Sequence, residues 1–135
     1  MMDWSKYVEL SVPQLRKLFD PFKQNVWVED PVTIEMVREA IQRGSLNATP
    51  FLSIRDKGRG PIWTAQEHAD RIAYLAVYGW TEPIILDVGV PALGCYVYNP
   101  ILDGNHRLAA AIFREDETIL TETSGAISIL ETLLP

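Results

Sequence analysis

The residues with the most chemical capacity lie in one run: Ile101-Leu102-Asp103-Gly104-Asn105-His106-Arg107-Leu108-Ala109-Ala110-Ala111. Apolar strand formers end in a carboxylate, and Gly104 permits a sharp turn. Asn105, His106 and Arg107 then fall in the first turn of an alanine-rich helix. First-turn amides have no partner within their helix, and the helix dipole adds positive potential there, so the pattern is an anion-binding one. Arg107 brings a planar fork matched to phosphate oxygens. His106 can donate to a phosphate or carry a proton near neutral pH. Asp103 repels a bare anion. It suits the same place as a general base, or as the ligand of a divalent cation, with Mg²⁺ the candidate. The same letters also describe ordinary helix initiation. An arginine in the first turn opposes the dipole, however, and a nearby anion offsets that cost.

Other residues are weaker candidates. Arg55-Asp56-Lys57-Gly58-Arg59-Gly60 is a glycine-containing loop of net charge +2, in which Arg55 and Lys57 are phosphate-binding candidates. The plain reading is a solvated surface loop. His68 sits between Glu67 and Asp70 and reads as a solvated helix residue. With two histidines, one cysteine and no HExxH, a structural metal site is not expected. Cys95 reads as a small buried apolar residue. Asp87 ends the run IILD and would join Asp103 at a metal if their strands were neighbours; otherwise it is a turn carboxylate. Trp63, Tyr74, Tyr78 and Trp80 read as core and rim residues, with base stacking the alternative. Glu115-Asp116-Glu117 reads as a solvated helix end.

The elements that must position these groups follow from periodicity and end signals. Ser11 caps a helix with Pro13 in its first turn and Leu15, Leu18 and Phe19 as its apolar stripe; Pro21 stops it. A helix over 33–43 places Ile34, Val37, Ala40 and Ile41 on one face and ends at Gly44. The segment 51–55 is a strand candidate. Thr64 and Glu67 form a capping box, and the helix they open ends at Gly79. Strands are predicted over 83–89, at 95–98 continuing to 101–103, and over 119–123. The helix after Gly104 is apolar nearly all round, so it should be buried. A last helix follows Gly125, with Ile127, Leu130, Leu133 and Leu134 facing inward. The expected architecture is a small α+β fold, with residues 1–49 as an N-terminal helical extension and 50–135 as the main domain.

Composition narrows the function classes. The chain has 135 residues, 12 Lys+Arg against 18 Asp+Glu, and a net charge of -6. This length suits a single domain with a real core. The acidity disfavours a protein that coats DNA through bulk charge. It is unevenly placed: residues 108–135 hold 1 basic and 5 acidic side chains, whereas 50–107 hold 5 and 6. A local basic pocket therefore remains compatible with the acidic whole. One cysteine suits a reducing compartment. MMDWSKYVELSV has no leader pattern, and no apolar run approaches a membrane span, so a cytoplasmic protein without a membrane partner is expected.

The run ILDGNHRLAAA resembles the signature of the ParB/sulfiredoxin-like superfamily, in which a strand leads into a DG-x-HR helix start. The helix ending at Gly79-Trp80, the Pro83-Ile84-Ile85 entry into a strand, and Ser124-Gly125-Ala126-Ile127 before a last helix are similar to segments of that superfamily. The resemblance covers about residues 50–135. It implies a small mixed sheet with packed helices and a nucleoside triphosphate as ligand or substrate. Gly104, Asn105, His106 and Arg107 would cradle phosphate beside Asp103. Partitioning clamps of the family carry paired arginines in a GERR-type motif, which this chain lacks. Sulfiredoxins place a cysteine where this chain has Asn105, so sulfiredoxin activity is not expected. The resemblance implies a nucleotide-binding protein, with NTPase, kinase or nuclease chemistry using Mg²⁺ open to it and His106 and Asp103 as its catalytic candidates. The alternative is a non-catalytic protein-interaction module that keeps the fold. Residues 1–49 would then serve a protein partner or a homodimer.

Overall fold

The computed structural model describes residues 2–24, 26–27, 31–51 and 62–135. Strand β1 (Val8–Ser11) runs directly into helix α1 (Val12–Leu18), and α2 (Ile34–Arg43) and α3 (Ala65–Tyr78) follow. Then come β2 (Ile84–Asp87), a short 3-10 turn (Pro91–Leu93), β3 (Ile101–Asp103), α4 (Asn105–Arg114), β4 (Thr118–Ser124) and α5 (Ile127–Glu131). The described residues thus form a small α+β fold of five helices and four strands.

Local chemistry sets most helix ends. The Ser11, Thr33 and Thr64 hydroxyls accept from the amides of Gln14, Met36 and Glu67 at 3.3, 3.1 and 3.2 Å. Glu67 returns the bond by accepting from the Thr64 amide at 3.1 Å, completing the capping box. Gly44 closes α2 in the left-handed conformation.

The sheet order is β1-β4-β2-β3. β1 and β4 are antiparallel, with Leu10 opposite Ile119; β4 and β2 are parallel, with Ile84 opposite Thr121. β2 and β3 are antiparallel, with Ile85 opposite Asp103 and an irregularity between Ile85 and Leu86. Alternation along β4 buries Ile119 and Thr121.

Helix α4 is the shared element. Its Leu108, Ala111 and Ile112 join the core formed with the sheet, while Ala109 and Ala110 join a second core with α2 and α3. One helix with two buried faces must be apolar nearly all round, as its sequence is. Small side chains on the second face let α3 approach it.

Several expectations change. Residues 1–49 are not a purely helical extension: Val8–Ser11 form a strand, and β1 and α1 share the main core. Four residues of VELS pair with β4 because their alternation buries Val8 and Leu10. Leu18 and Ile127 are exposed, because α1 and α5 are too short to bury every apolar position. Residues 95–98 form no strand; Cys95 makes one isolated bridge to Val90 and is exposed, not buried. The strand expected over 51–55 falls, apart from Phe51, outside the described residues.

Substituting Ala110→Leu should overpack the face against α3 and lower stability by about 1–3 kcal/mol, read as a lower urea midpoint.

Candidate functional site

Gly104 makes the site's first geometric decision. It takes φ +104°, and a Cβ placed there would stand 2.5 Å from the Ile84 Cγ2. Only glycine lets the chain turn so close to β2 and enter α4. Gly104 has no side chain with which to cap the helix, unlike the residues that cap α1, α2 and α3. The first amides of α4 are therefore left for other partners. Gly104, Asn105, His106 and Arg107 line a cavity of about 990 Å³, with Trp27 and Trp80 among its walls.

Arg107 is partly committed to the fold. Its Nη1 donates to the carbonyls of Glu82 and Pro83 at 3.2 and 2.7 Å, and its Nη2 to Asp103 Oδ2 at 3.1 Å. The side chain is 13% exposed and still lines the cavity. The expected free phosphate fork is thus a clamp between β2's approach and α4. Asp103 is exposed and spends one oxygen on Arg107, which accounts for an arginine in this first turn. Asp103 thus has one oxygen committed to Arg107, and among the described residues no three His, Cys, Asp or Glu side chains gather around a metal position. Asp87 does not join it. The antiparallel register puts Asp103 opposite Ile85, and Asp87 Oδ1 instead accepts from the Gly89 amide at 2.8 Å.

A second cation enters from α3. Arg71 Nη1 donates to the carbonyls of Asn47 and Ala48 at 3.3 and 3.0 Å, and its guanidinium lies 5.3 Å from the Tyr74 ring centre. Burial lowers its pKa, and Arg107 adds to the effect, so the two cations feel one another. No carboxylate among the described residues pairs with Arg71, which also lines the cavity. The wall residue Trp80 is backed by Arg114, 4.5 Å from its ring centre, and Asp116 holds that arginine at 2.5 Å. Asp116 therefore has a structural role beyond a solvated helix end.

The main surprise is His68, which is 1% exposed rather than solvated. Its Nδ1 lies 2.8 Å from His106 Nε2. The ring centres are 5.0 Å apart and the planes differ by 13°. That separation equals two imidazole radii plus one hydrogen bond, so the rings lie edge to edge in nearly one plane. Trp27 lies flat over both, at 5.1 and 4.5 Å. Phe51 meets both edge-on, at 5.0 and 5.4 Å, and Trp63 is tilted against them. Burial pushes the His68 pKa down to about 4, against an opposing pull from Glu67. His106 falls well below its ordinary value through burial first, then through the charges of His68, Arg71 and Arg107. Both rings are neutral at pH 7, and one N–H joins them.

The structure therefore brings Asp103, Gly104, Asn105, His106 and Arg107 to one cavity and adds Arg71, Trp27 and Phe51, with His68 buried behind His106. Arg55 and Lys57 lie outside the described residues. His68 had a sequence signal: it stands in line with Ile72 and Leu75 at i, i+4 and i+7, the buried stripe of α3. Trp27 and Phe51 had none, since they come from irregular segments far along the chain.

Two outcomes test this geometry. Arg107→Lys keeps the charge but cannot bridge two carbonyls and a carboxylate together, and should cost about 1–3 kcal/mol in thermal unfolding without ligand. The unfolded chain takes up protons at histidine near 6.5, while folded His68 waits until about 4. Stability should therefore fall as pH drops through that window, more steeply in the native chain than in His68→Gln, as read by urea midpoints. No family model, curated protein or solved structure matches this chain.

Proposed function

We propose that the protein binds a nucleotide, or another phosphate-bearing small molecule, in the cavity at the start of α4. The observation that carries this reading is the convergence of two guanidinium groups from different helices on uncapped helix amides. Arg71 and Arg107 line the same cavity as residues 104–107. Like charges brought together at cost are offset by a bound anion, and the amides with the helix dipole add to the same field. Glu82 and Asp103 also line the cavity, and Asp103 is spent on Arg107, so Arg71 is the cation there that no carboxylate among the described residues pairs with. The cavity volume lies within the range of about 300–1,000 Å³ usual for small-molecule pockets. Trp27, Tyr74 and Trp80 on its walls offer flat faces to a base. The resemblance of Asp103 to Arg107 to the ParB/sulfiredoxin-like helix start supports the same ligand class. Asn105 Oδ1, buried and without a partner among the described residues, supplies an acceptor for a donor on the ligand.

A second reading is a module that docks another protein and turns nothing over. It is favoured by one observation, the exposed side chains of Leu93, Tyr96, Tyr98 and Leu102 beside the sheet's β3 edge. A single sedimenting species at monomer mass, with nucleotide binding intact, would remove it in its homodimeric form.

Thermal shift with ATP, CTP, GTP and pyrophosphate tests the first reading. At least one should raise the melting temperature by several degrees, since saturation at about a hundred times Kd adds about 2.7 kcal/mol. Arg71→Gln should keep the fold and lose most of that shift. No shift with any of the four would sink the reading.

A further inference from the structure

The cavity has a titratable wall that ion binding alone does not require. His106 lines it, and His106 Nε2 is committed to His68. Nδ1 is then the one ring nitrogen of His106 left to meet a ligand. Because the pair shares a single N–H, its two tautomers are linked. When His106 Nε2 donates to His68 Nδ1, His106 Nδ1 carries a lone pair and accepts. When His68 Nδ1 donates, His106 Nδ1 carries the proton and donates. A proton arriving at Nδ1 in the first state can leave through Nε2 to His68, by transfer along a 2.8 Å bond between coplanar rings.

We propose that the His68–His106 pair is a proton relay for the cavity, taking up one proton when a phosphate-bearing anion binds and passing it to His68. This rests on the anion reading above and adds what that reading leaves open, the protonation that accompanies binding. The step balances simply. An N–H bond forms at His106 Nδ1 with a proton from solvent or from a protonated phosphate oxygen. The N–H bond at His106 Nε2 breaks as one forms at His68 Nδ1.

The surroundings give the transfer a direction. The charged groups from α3 are Glu67, which favours a charged His68, and Arg71, which opposes a charged His106. The charged group from α4 is Arg107, which also opposes a charged His106 and is itself paired with Asp103 of β3. The residues from the remaining packed segments, Trp27, Phe51 and Trp63, present rings without titratable groups. A proton held on His68 is therefore nearer to Glu67's influence and farther from the two arginines. The indole of Trp27, flat over both imidazoles, favours a cation beneath it wherever in the pair the charge rests. With the cavity empty, burial and the arginines keep the pair neutral. An anion placed between the arginines cancels that opposition and raises the pair's pKa.

Side-chain ¹⁵N spectra of the full chain, labelled at histidine and titrated with and without pyrophosphate, test this. They read the imidazole protons directly, so the ligand's own titration does not enter. Without pyrophosphate His68 should stay neutral until the pH nears about 4, and His106 should titrate well below its ordinary range; with it the pair's midpoint should rise by about one unit or more. Backbone amides of residues 105–107 should shift in the same samples, reporting occupancy. If those amides shift while the histidine midpoint stays in place, the relay is wrong and the anion site stands. If nothing shifts at millimolar pyrophosphate, ATP, CTP or GTP, both are wrong. His68→Gln keeps a hydrogen-bonding side chain behind His106. Measured against its own affinity near about pH 8, it should gain several-fold less than the native chain does on going to about pH 6. An equal gain in both proteins would overturn the role of His68. The native titration decides alone if the variant does not fold.

Discussion

One hydrogen bond between two neutral imidazoles holds α3 to α4 at the edge of the cavity, linking residues 38 positions apart. Its enclosure by Trp27, Phe51 and Trp63 makes it a demanding contact. In apolar surroundings each ring nitrogen without a partner is costly, and a charged ring is costlier. The pair meets this by giving each histidine the other as partner and by staying deprotonated. Its coplanarity has a further effect. A single indole can lie flat on both rings only because they share a plane, so the position of Trp27, and with it one wall of the cavity, depends on the pair.

The opposite side of the site depends on how α4 begins. Gly104 lies so close to Ile84 that no side chain fits, which ties the helix start to the sheet. Arg107 then reaches back to the carbonyls of Glu82 and Pro83, fixing the entry to β2 against the same turn. Its pairing with Asp103 offsets a positive charge at the positive end of the helix dipole. These contacts are structural, yet they leave the first turn of α4 without a side-chain cap, and Arg107 still lines the cavity. The fold and the proposed site draw on the same few groups.

How much was legible depended on the range of the interaction. The Ser11 cap, the Thr64–Glu67 capping box and the Gly44 ending of α2 act within one helical turn, and each formed as its letters indicate. The buried character of α4 was equally plain, since a helix with two covered faces needs apolar residues around its circumference. Cys95 and Ile127 were misplaced because burial depends on what packs above a residue, and nothing in their local pattern states that. β1 was missed because four residues pair as a strand only when β4, over a hundred positions away, is there to receive them.

The sequence by itself determined where the helices begin and end, which helix lies in the interior, and that Asp103, Gly104, Asn105, His106 and Arg107 meet at a strand-to-helix turn. Those features come from backbone conformation and neighbours three or four residues apart. Only the tertiary structure decided that Arg107 clamps two carbonyls, that Arg71 joins it at the cavity, and that His68 is buried against His106 under Trp27. Each of these joins elements distant along the chain. A side chain's protonation and partners are set by the dielectric and the groups that packing brings around it, and no local pattern carries that information.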